Sequence, residues 1–158
     1  IFNQMKKHRP DSDMQLVFVG GPGHGYERVQ TEIDASPYKK DILELGWVPT
    51  DDIVYIMNGA RALVFLGEHE GFGLPLLEAF ACGTLVIAAT GGALREVGGD
   101  AAVYLSDSDT ATAAREIVAL ITDTEKCDAA IVKGYKRLAL FSWAQCAEET
   151  LRVLYLLP

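Results

Sequence analysis

Short, continuously apolar runs alternate with helical or turn-like segments through the first two thirds of the chain. The runs Leu16–Val19, Ala62–Leu66 and Thr84–Ala89 contain almost no polar residues, which is typical of strands covered on both faces of a sheet. Helical patterns between successive strands indicate crossover connections, and hence parallel pairing. The sequence therefore predicts an α/β fold built on a doubly wound parallel sheet of Rossmann-like order.

Two weaker runs, Ile42–Val48 and Ala102–Leu105, are predicted as further strands. Helices are predicted from Thr50 to about Gly59 and over Leu74–Cys82, the second with a proline in its first turn and a glycine after its end. From Asp109, which is predicted to cap a helix, the pattern is helical only.

The length of 158 residues suits a single domain, 1–158. A net charge of -8 disfavours a nucleic-acid partner, because phosphate backbones are repelled at long range. The three cysteines, Cys82, Cys127 and Cys146, form no CxxC pattern, which favours a reducing, cytoplasmic setting without a metal cluster. With no run of 18 apolar residues and no signal-peptide pattern, neither a membrane span nor secretion is expected.

One string carries the most chemical information, EGFGLPLLE from Glu70 to Glu78. It follows a predicted strand, at the sheet edge where open α/β folds bind ligands. Gly71 and Gly73 allow a ligand to approach the backbone, and the start of the next helix attracts the anionic diphosphate of a nucleotide. A carboxylate such as that of Glu78 suits the paired hydroxyls of a ribose. The string thus predicts a site for a nucleotide bearing a sugar.

Other interpretations of single residues remain. Gly71 and Gly73 would also serve as plain turn residues, and Glu78 as a solvated residue stabilised by the helix dipole. His69 would line the cleft or be an ordinary loop residue. The segment after Leu16–Val19 does not complete a dinucleotide-binding fingerprint, because Tyr26 occupies its third glycine position.

The strings EGFGLPLLE (70–78), AFACGTLVIA (79–88) and TGGALREV (90–97) resemble the retaining glycosyltransferases of the GT-B fold. This is the family of glycogen synthase, sucrose synthase and bacterial mannosyl- and glucosyltransferases. The resemblance extends from about residue 16 to 154 and includes Val19–Gly21, Leu45–Val48 and Phe141–Trp143. It implies that the chain is the C-terminal, donor-binding domain of such an enzyme.

The family moves a sugar from a UDP-, GDP- or ADP-sugar to an acceptor with retained anomeric configuration and, as a rule, without a metal. The resemblance implies that Glu70 contacts the transferred sugar and favours the positive charge developing on it. It implies ribose binding by Glu78 and base recognition at Val48. The remaining donor-binding positions that it implies are Gly20, Gly21, Gly71, Phe72, Gly73 and Leu74.

The sequence also departs from the family pattern. A basic pair that grips the diphosphate lies on the first strand–helix unit of the domain, which would precede Ile1, as would the acceptor-binding domain. Lys6, Lys7 and Arg9 lie too far along their helix to replace that pair. Leu66–Gly67 stands where the family usually has Pro–Ser.

The chain alone is therefore expected to be inactive. A non-catalytic nucleotide-sugar-binding module is one alternative, which weak nucleotide binding without turnover would support. The other is a nucleotide-sugar epimerase of the same fold, which would need catalytic acids from the cleft and a different central string.

Overall fold

The computed structural model describes residues 1–67, 70–105 and 109–156. Strands and helices alternate up to the last strand, after which three helices follow one another. The strands are β1 (Leu16–Phe18), β2 (Ile42–Glu44), β3 (Ala62–Phe65), β4 (Leu85–Ala88) and β5 (Val103–Tyr104). The helices are α1 (Phe2–His8), α2 (Tyr26–Asp34), α3 (Thr50–Gly59), α4 (Leu74–Ala81), α5 (Gly92–Gly98), α6 (Thr110–Ile121), α7 (Thr124–Leu138) and α8 (Trp143–Leu156), and a 3-10 turn, Lys39–Asp41, precedes β2.

All strand pairs are parallel, which confirms the predicted α/β class. The strands form two sheets, one of β1 and β2 and one in the order β3–β4–β5. The common Rossmann order is 3-2-1-4-5-6. Removing its first strand and renumbering the others leaves the pair 2-1 and the trio 3-4-5, as observed here. The division into two sheets thus agrees with the prediction of a Rossmann-like domain that lacks its first strand.

Strand β4 lies at the centre of the packing, and all four of its side chains are buried. Alternate side chains point to opposite faces. Leu85 and Ile87 join one apolar cluster, with residues of α1 and α6, while Val86 and Ala88 join another, with residues of α4 and α5. The two clusters include Met5, Ala113, Ala114 and Ile117 on the first face and Leu76, Ala79, Phe80, Leu94 and Val97 on the second.

The prediction that Leu16–Val19 forms a buried strand was wrong in its burial. The strand ends at Phe18, and the side chains from Val17 to Val19 are each more than a third exposed. Within the described residues β1 belongs to a two-stranded sheet with β2, so fewer neighbouring side chains cover its faces than cover those of β4. Strand β2 also ends earlier than predicted, at Glu44, since the chain turns at Gly46 with a φ of +65°.

Helix α1 connects the two sheets. Met5 lies in the cluster beneath β4, whereas Lys6, only 3% exposed, reaches toward β1 and β2. The Lys6 ammonium donates to the carbonyl oxygens of Ser12, at 2.8 Å, and Met14, at 3.3 Å, and pairs with the Asp41 carboxylate at 2.8 Å. One helix therefore anchors the segments that precede β1 and β2 to the core around β4.

Candidate functional site

The loop that follows β3 leads through Gly73 into α4. Gly73 is the N-cap of this helix and adopts a left-handed conformation, with φ +98° and ψ +44°. A Cβ atom here would lie 2.8 Å from Cδ2 of Leu94 in α5. Both the backbone conformation and the close approach of α5 therefore require glycine. They fix the direction in which α4 starts, at the carboxyl end of β3.

Three amides around this cap lack a backbone partner within the described residues, namely the N–H groups of Phe72, Gly73 and Leu74. Phe72 and Leu74 are exposed, and nothing lies within 4 Å of a Cβ placed on Gly71. An α-helix carries partial positive charge at its N-terminus. The arrangement can bind an anion through backbone donors without a basic side chain.

The Glu70 carboxylate folds back over Gly67. A Cβ placed on Gly67 would lie 2.6 Å from Oε1 of Glu70. Gly67 therefore makes room for this carboxylate beside the last turn of chain leaving β3. Nothing in the sequence signalled this contact, although Gly67 stands where the resembled family usually carries serine.

Glu78 lies one helical turn beyond the cap and is exposed on α4. Its backbone oxygen accepts a hydrogen bond from Cys82 at 3.1 Å. Burial raises the pKa of the Cys82 thiol, and the negative charge of Glu78 raises it further. The structure thus brings Glu70, Gly71 and Gly73 into one turn and puts Glu78 on the helix that the turn begins.

The other predicted positions form a second group, at the carboxyl ends of β1 and β2. The Gly20 N–H donates to the Gly46 carbonyl at 2.7 Å, which joins the two loops. Gly20 and Gly21 are exposed, and Val48 is half-buried two residues beyond that bond. No hydrogen bond or ion pair between described residues links this group with Glu70 and Gly71–Leu74. His69 lies outside the described residues.

Sequence reasoning missed one contact of the loop. The ring of Phe72 meets the ring of Phe141, which lies between α7 and α8, with centroids 6.0 Å apart and planes at 89°. Such edge-to-face geometry is favourable for aromatic pairs. The two residues are far apart in sequence and share no periodicity, so no pattern in the chain predicted their meeting.

Within the described part of the chain, neither a metal-binding cluster nor either of two surface depressions marks the site. The two depressions lie elsewhere, at Pro37–Asp41 and at His8–Ser12. No group of three His, Cys, Asp or Glu side chains suited to a metal ion occurs within residues 1–67, 70–105 and 109–156. Within the same ranges, no helix is long and apolar enough to cross a membrane.

Relatives of this chain include two bacterial enzymes. O-antigen chain mannosyltransferase B of Escherichia coli is 34% identical over 113 residues, which cover 72% of this chain and 30% of that protein. Alpha-maltose-1-phosphate synthase of Mycolicibacterium smegmatis is 30% identical over 161 residues, covering 92% of this chain and 41% of that protein. The chain thus spans well under half the length of these relatives.

Solved structures with the same fold include HepE of Anabaena in complex with UDP and glucose. It superposes with a TM-score of 0.82 at 19% identity, covering 99% of this chain and 44% of HepE. Sucrose-phosphate synthase of Thermosynechococcus elongatus gives a TM-score of 0.79 at 21% identity, covering 97% of this chain and 41% of the synthase. These values agree with the predicted C-terminal half of a GT-B fold.

A profile of the family described as "Glycosyl transferases group 1" matches residues 2–137. The match includes both sheets, the Gly71–Leu74 turn and the helices up to α7. The chain therefore belongs to the group 1 glycosyl transferases.

Proposed function

We propose that this chain supplies the donor-binding half of a retaining glycosyltransferase that uses a nucleoside diphosphate-sugar. The observation that carries the proposal is the turn at Gly73, which follows Glu70 and whose N–H groups at Phe72, Gly73 and Leu74 have no backbone acceptor among the described residues. One end of this turn suits a diphosphate and the other the hydroxyls of a sugar. The HepE structure, which has the same fold, holds UDP and glucose.

Each part of the donor has a matching partner in this scheme. The amides of Gly71 and Phe72–Leu74, aided by the α4 dipole, bind the diphosphate. Gly20 and Gly21 approach the phosphates from the other sheet, and the backbone around Val48 meets the base. The Glu78 carboxylate accepts two hydrogen bonds from the ribose hydroxyls.

Catalysis in this scheme rests on charge at the transferred sugar. As the bond to the diphosphate breaks, the sugar ring becomes positively charged, as in other glycosyl transfers. A carboxylate already in position stabilises that charge without reorganisation, which is the role assigned to Glu70. The acceptor attacks the sugar from the face that the diphosphate leaves, and the departing diphosphate takes the proton from the attacking group. The configuration is therefore retained without a covalent enzyme intermediate.

Nucleotide affinity is expected to be modest in this chain. Lys6 is already held by Asp41 and two backbone carbonyls, so it cannot grip a diphosphate. A charge-assisted hydrogen bond contributes about 1.5–3 kcal/mol. Two such bonds from a basic pair would therefore strengthen binding by roughly two to four powers of ten, at about 1.4 kcal/mol per tenfold change.

The test compares Glu78→Gln with Glu70→Gln. Calorimetry with UDP, GDP and ADP is expected to detect binding of one nucleotide, which Glu78→Gln weakens and Glu70→Gln leaves unchanged. In the intact enzyme Glu70→Gln is expected to lower kcat on the order of 10²–10³, the cost of losing one preorganised electrostatic partner. Glu78→Gln is expected to raise KM more than it lowers kcat, because ribose contacts are alike in the ground and transition states.

Three outcomes contradict the proposal. If none of the three nucleotides binds, the donor site is wrongly assigned. If both substitutions change KM alone and by similar factors, Glu70 is a binding residue and its assignment to catalysis is wrong. Binding without turnover in the intact protein would instead identify a non-catalytic module.

A further inference from the structure

The aromatic contact of Phe72 joins the proposed donor-binding turn to residues outside it. Phe141 is half-buried and packs on the apolar cluster that includes Leu76 and Phe80. One side of its ring receives the edge-to-face contact with Phe72. Phe141 therefore links the exposed residue Phe72 to the interior of the domain.

Arg137, in the last turn of α7, also contacts the ring of Phe141. Its guanidinium lies 5.2 Å from the centroid of the Phe141 ring, within the range of a cation–π contact. The Arg137 Nε donates to the carbonyl oxygen of Val97 at 2.9 Å, and a second guanidinium N–H donates to that of Glu96. These carbonyls end α5, where a cation is favoured by the helix dipole.

The contacts form a closed ring. Helix α5, whose end Arg137 caps, also carries Leu94, and the Leu94 side chain occupies the space that a Cβ on Gly73 would need. Two consecutive loop residues, Phe72 and Gly73, are thus contacted from different elements that Arg137 ties together. A loop held at both points has fewer conformations than one attached only through its backbone.

From this geometry we infer that Phe141 and Arg137 are positioning residues that hold the Gly71–Leu74 amides in the conformation that receives the diphosphate. The role in diphosphate binding rests on the proposed function, whereas the order of the loop is a property of the unliganded chain. Precise binding sites in general need supporting residues whose packing holds the ligand-binding groups in place.

The experiment measures both the flexibility of the loop and its affinity for a nucleotide. In the unliganded chain, Phe141→Leu is expected to lower the NMR order parameters of the 71–74 backbone N–H groups from the rigid range, about 0.85, toward the flexible range, below about 0.6. It is expected to weaken binding of whichever of UDP, GDP and ADP binds the wild-type chain by roughly two- to tenfold, the range that the loss of an aromatic pair supports. Phe141→Tyr keeps the ring and is expected to restore both values. Arg137→Lys, which keeps the charge but loses the paired N–H donors, is expected to act in the same direction as Phe141→Leu.

The control is Ile117→Val, which loosens the cluster on the opposite face of β4. If it lowers the order parameters at 71–74 as much as Phe141→Leu at an equal loss of stability, general loosening explains the effect and the inference is overturned. It is also overturned if Phe141→Leu leaves these order parameters unchanged. If the wild-type chain binds no nucleotide, the proposed function fails, while the order parameters still decide whether Phe141 and Arg137 order the loop.

Discussion

The two sheets of this domain are built from similar apolar sequences but differ in how they are covered. Every side chain of β4 is buried between helices, whereas Val17 and Phe18 of β1 and Leu43 of β2 remain more than a third exposed. The strands differ in their neighbours rather than in their composition. An apolar run indicates a strand, but only packing on both faces and both edges makes that strand a core element.

The proposed donor site draws on both regions. Glu70 and the Gly71–Leu74 turn lie in the closely packed region, where Leu94 and Phe141 hold the loop. Gly20 and Val48 lie in the open region, where one hydrogen bond, from Gly20 to Gly46, joins the loops after β1 and β2. We therefore expect the phosphate and sugar end of the site to be more rigid than the base end.

The strongest test of this difference compares two strand leucines. Leu85 is 2% exposed in β4, and Leu43 is 36% exposed in β2. Leu85→Ala is expected to lower the free energy of unfolding by roughly 2–5 kcal/mol, through lost burial and a residual cavity. Leu43→Ala is expected to cost roughly 1–2 kcal/mol, because part of its surface already contacts water. Urea unfolding measures both, and equal losses would show that β2 is as well packed as β4.

Alanine substitutions at two glycines compare a loop of the open region with a loop of the closely packed region. Gly20 and Gly73 both have positive φ, at 122° and 98°, so alanine at either position costs roughly 1–3 kcal/mol in backbone strain. Only at Gly73 does a Cβ also meet a side chain, that of Leu94, which adds roughly 1–3 kcal/mol. Thermal unfolding should therefore rank Gly73→Ala as the more destabilising variant. The reverse ranking would mean that Leu94 moves aside freely and that the loop is not held from α5.

Helix capping gives the smallest expected difference. The Asp109 carboxylate accepts hydrogen bonds from the backbone N–H groups of Ala111, at 2.9 Å, and Thr112, at 3.1 Å, as the sequence predicted. The backbone bond from Thr112 is the main cause that lowers the pKa of Asp109 below its ordinary value of 3.8. Helices α2 and α3, in the open region, start without a side-chain cap.

A group with a lowered pKa in the folded state stabilises the fold above its unfolded-state pKa and loses that contribution as pH falls through its folded-state pKa. Asparagine keeps the capping oxygen but not the charge. The Tm of the wild-type chain is therefore expected to fall slightly more steeply than that of Asp109→Asn on acidification from pH 5 to pH 2. Parallel Tm curves would show that the charge at this cap contributes nothing.

Local patterns predicted the elements well, and long-range contacts explain the rest. Helix α3 begins at Thr50 and ends at Gly59, as its acidic first turn and terminal glycine indicated. The start of α4 at Leu74 was also predicted, since glycine and proline fix it locally. The exposure of β1, the burial of Lys6 and the meeting of Phe72 with Phe141 depend on partners distant in sequence, and no local pattern carries that information.

Helix α1 has a consequence for the order in which the molecule is assembled. Its Met5 packs with Ala113 and Ile117, roughly a hundred residues further along the chain, and most of a helix's stability in a protein comes from such packing of its apolar face. During synthesis this segment leaves the ribosome long before α6 exists and has to wait for it, for about 5–20 s at typical rates of translation. The anchoring of β1 and β2 through Lys6 is therefore expected to be among the last events of folding, and one that a chaperone able to shield apolar strands would assist.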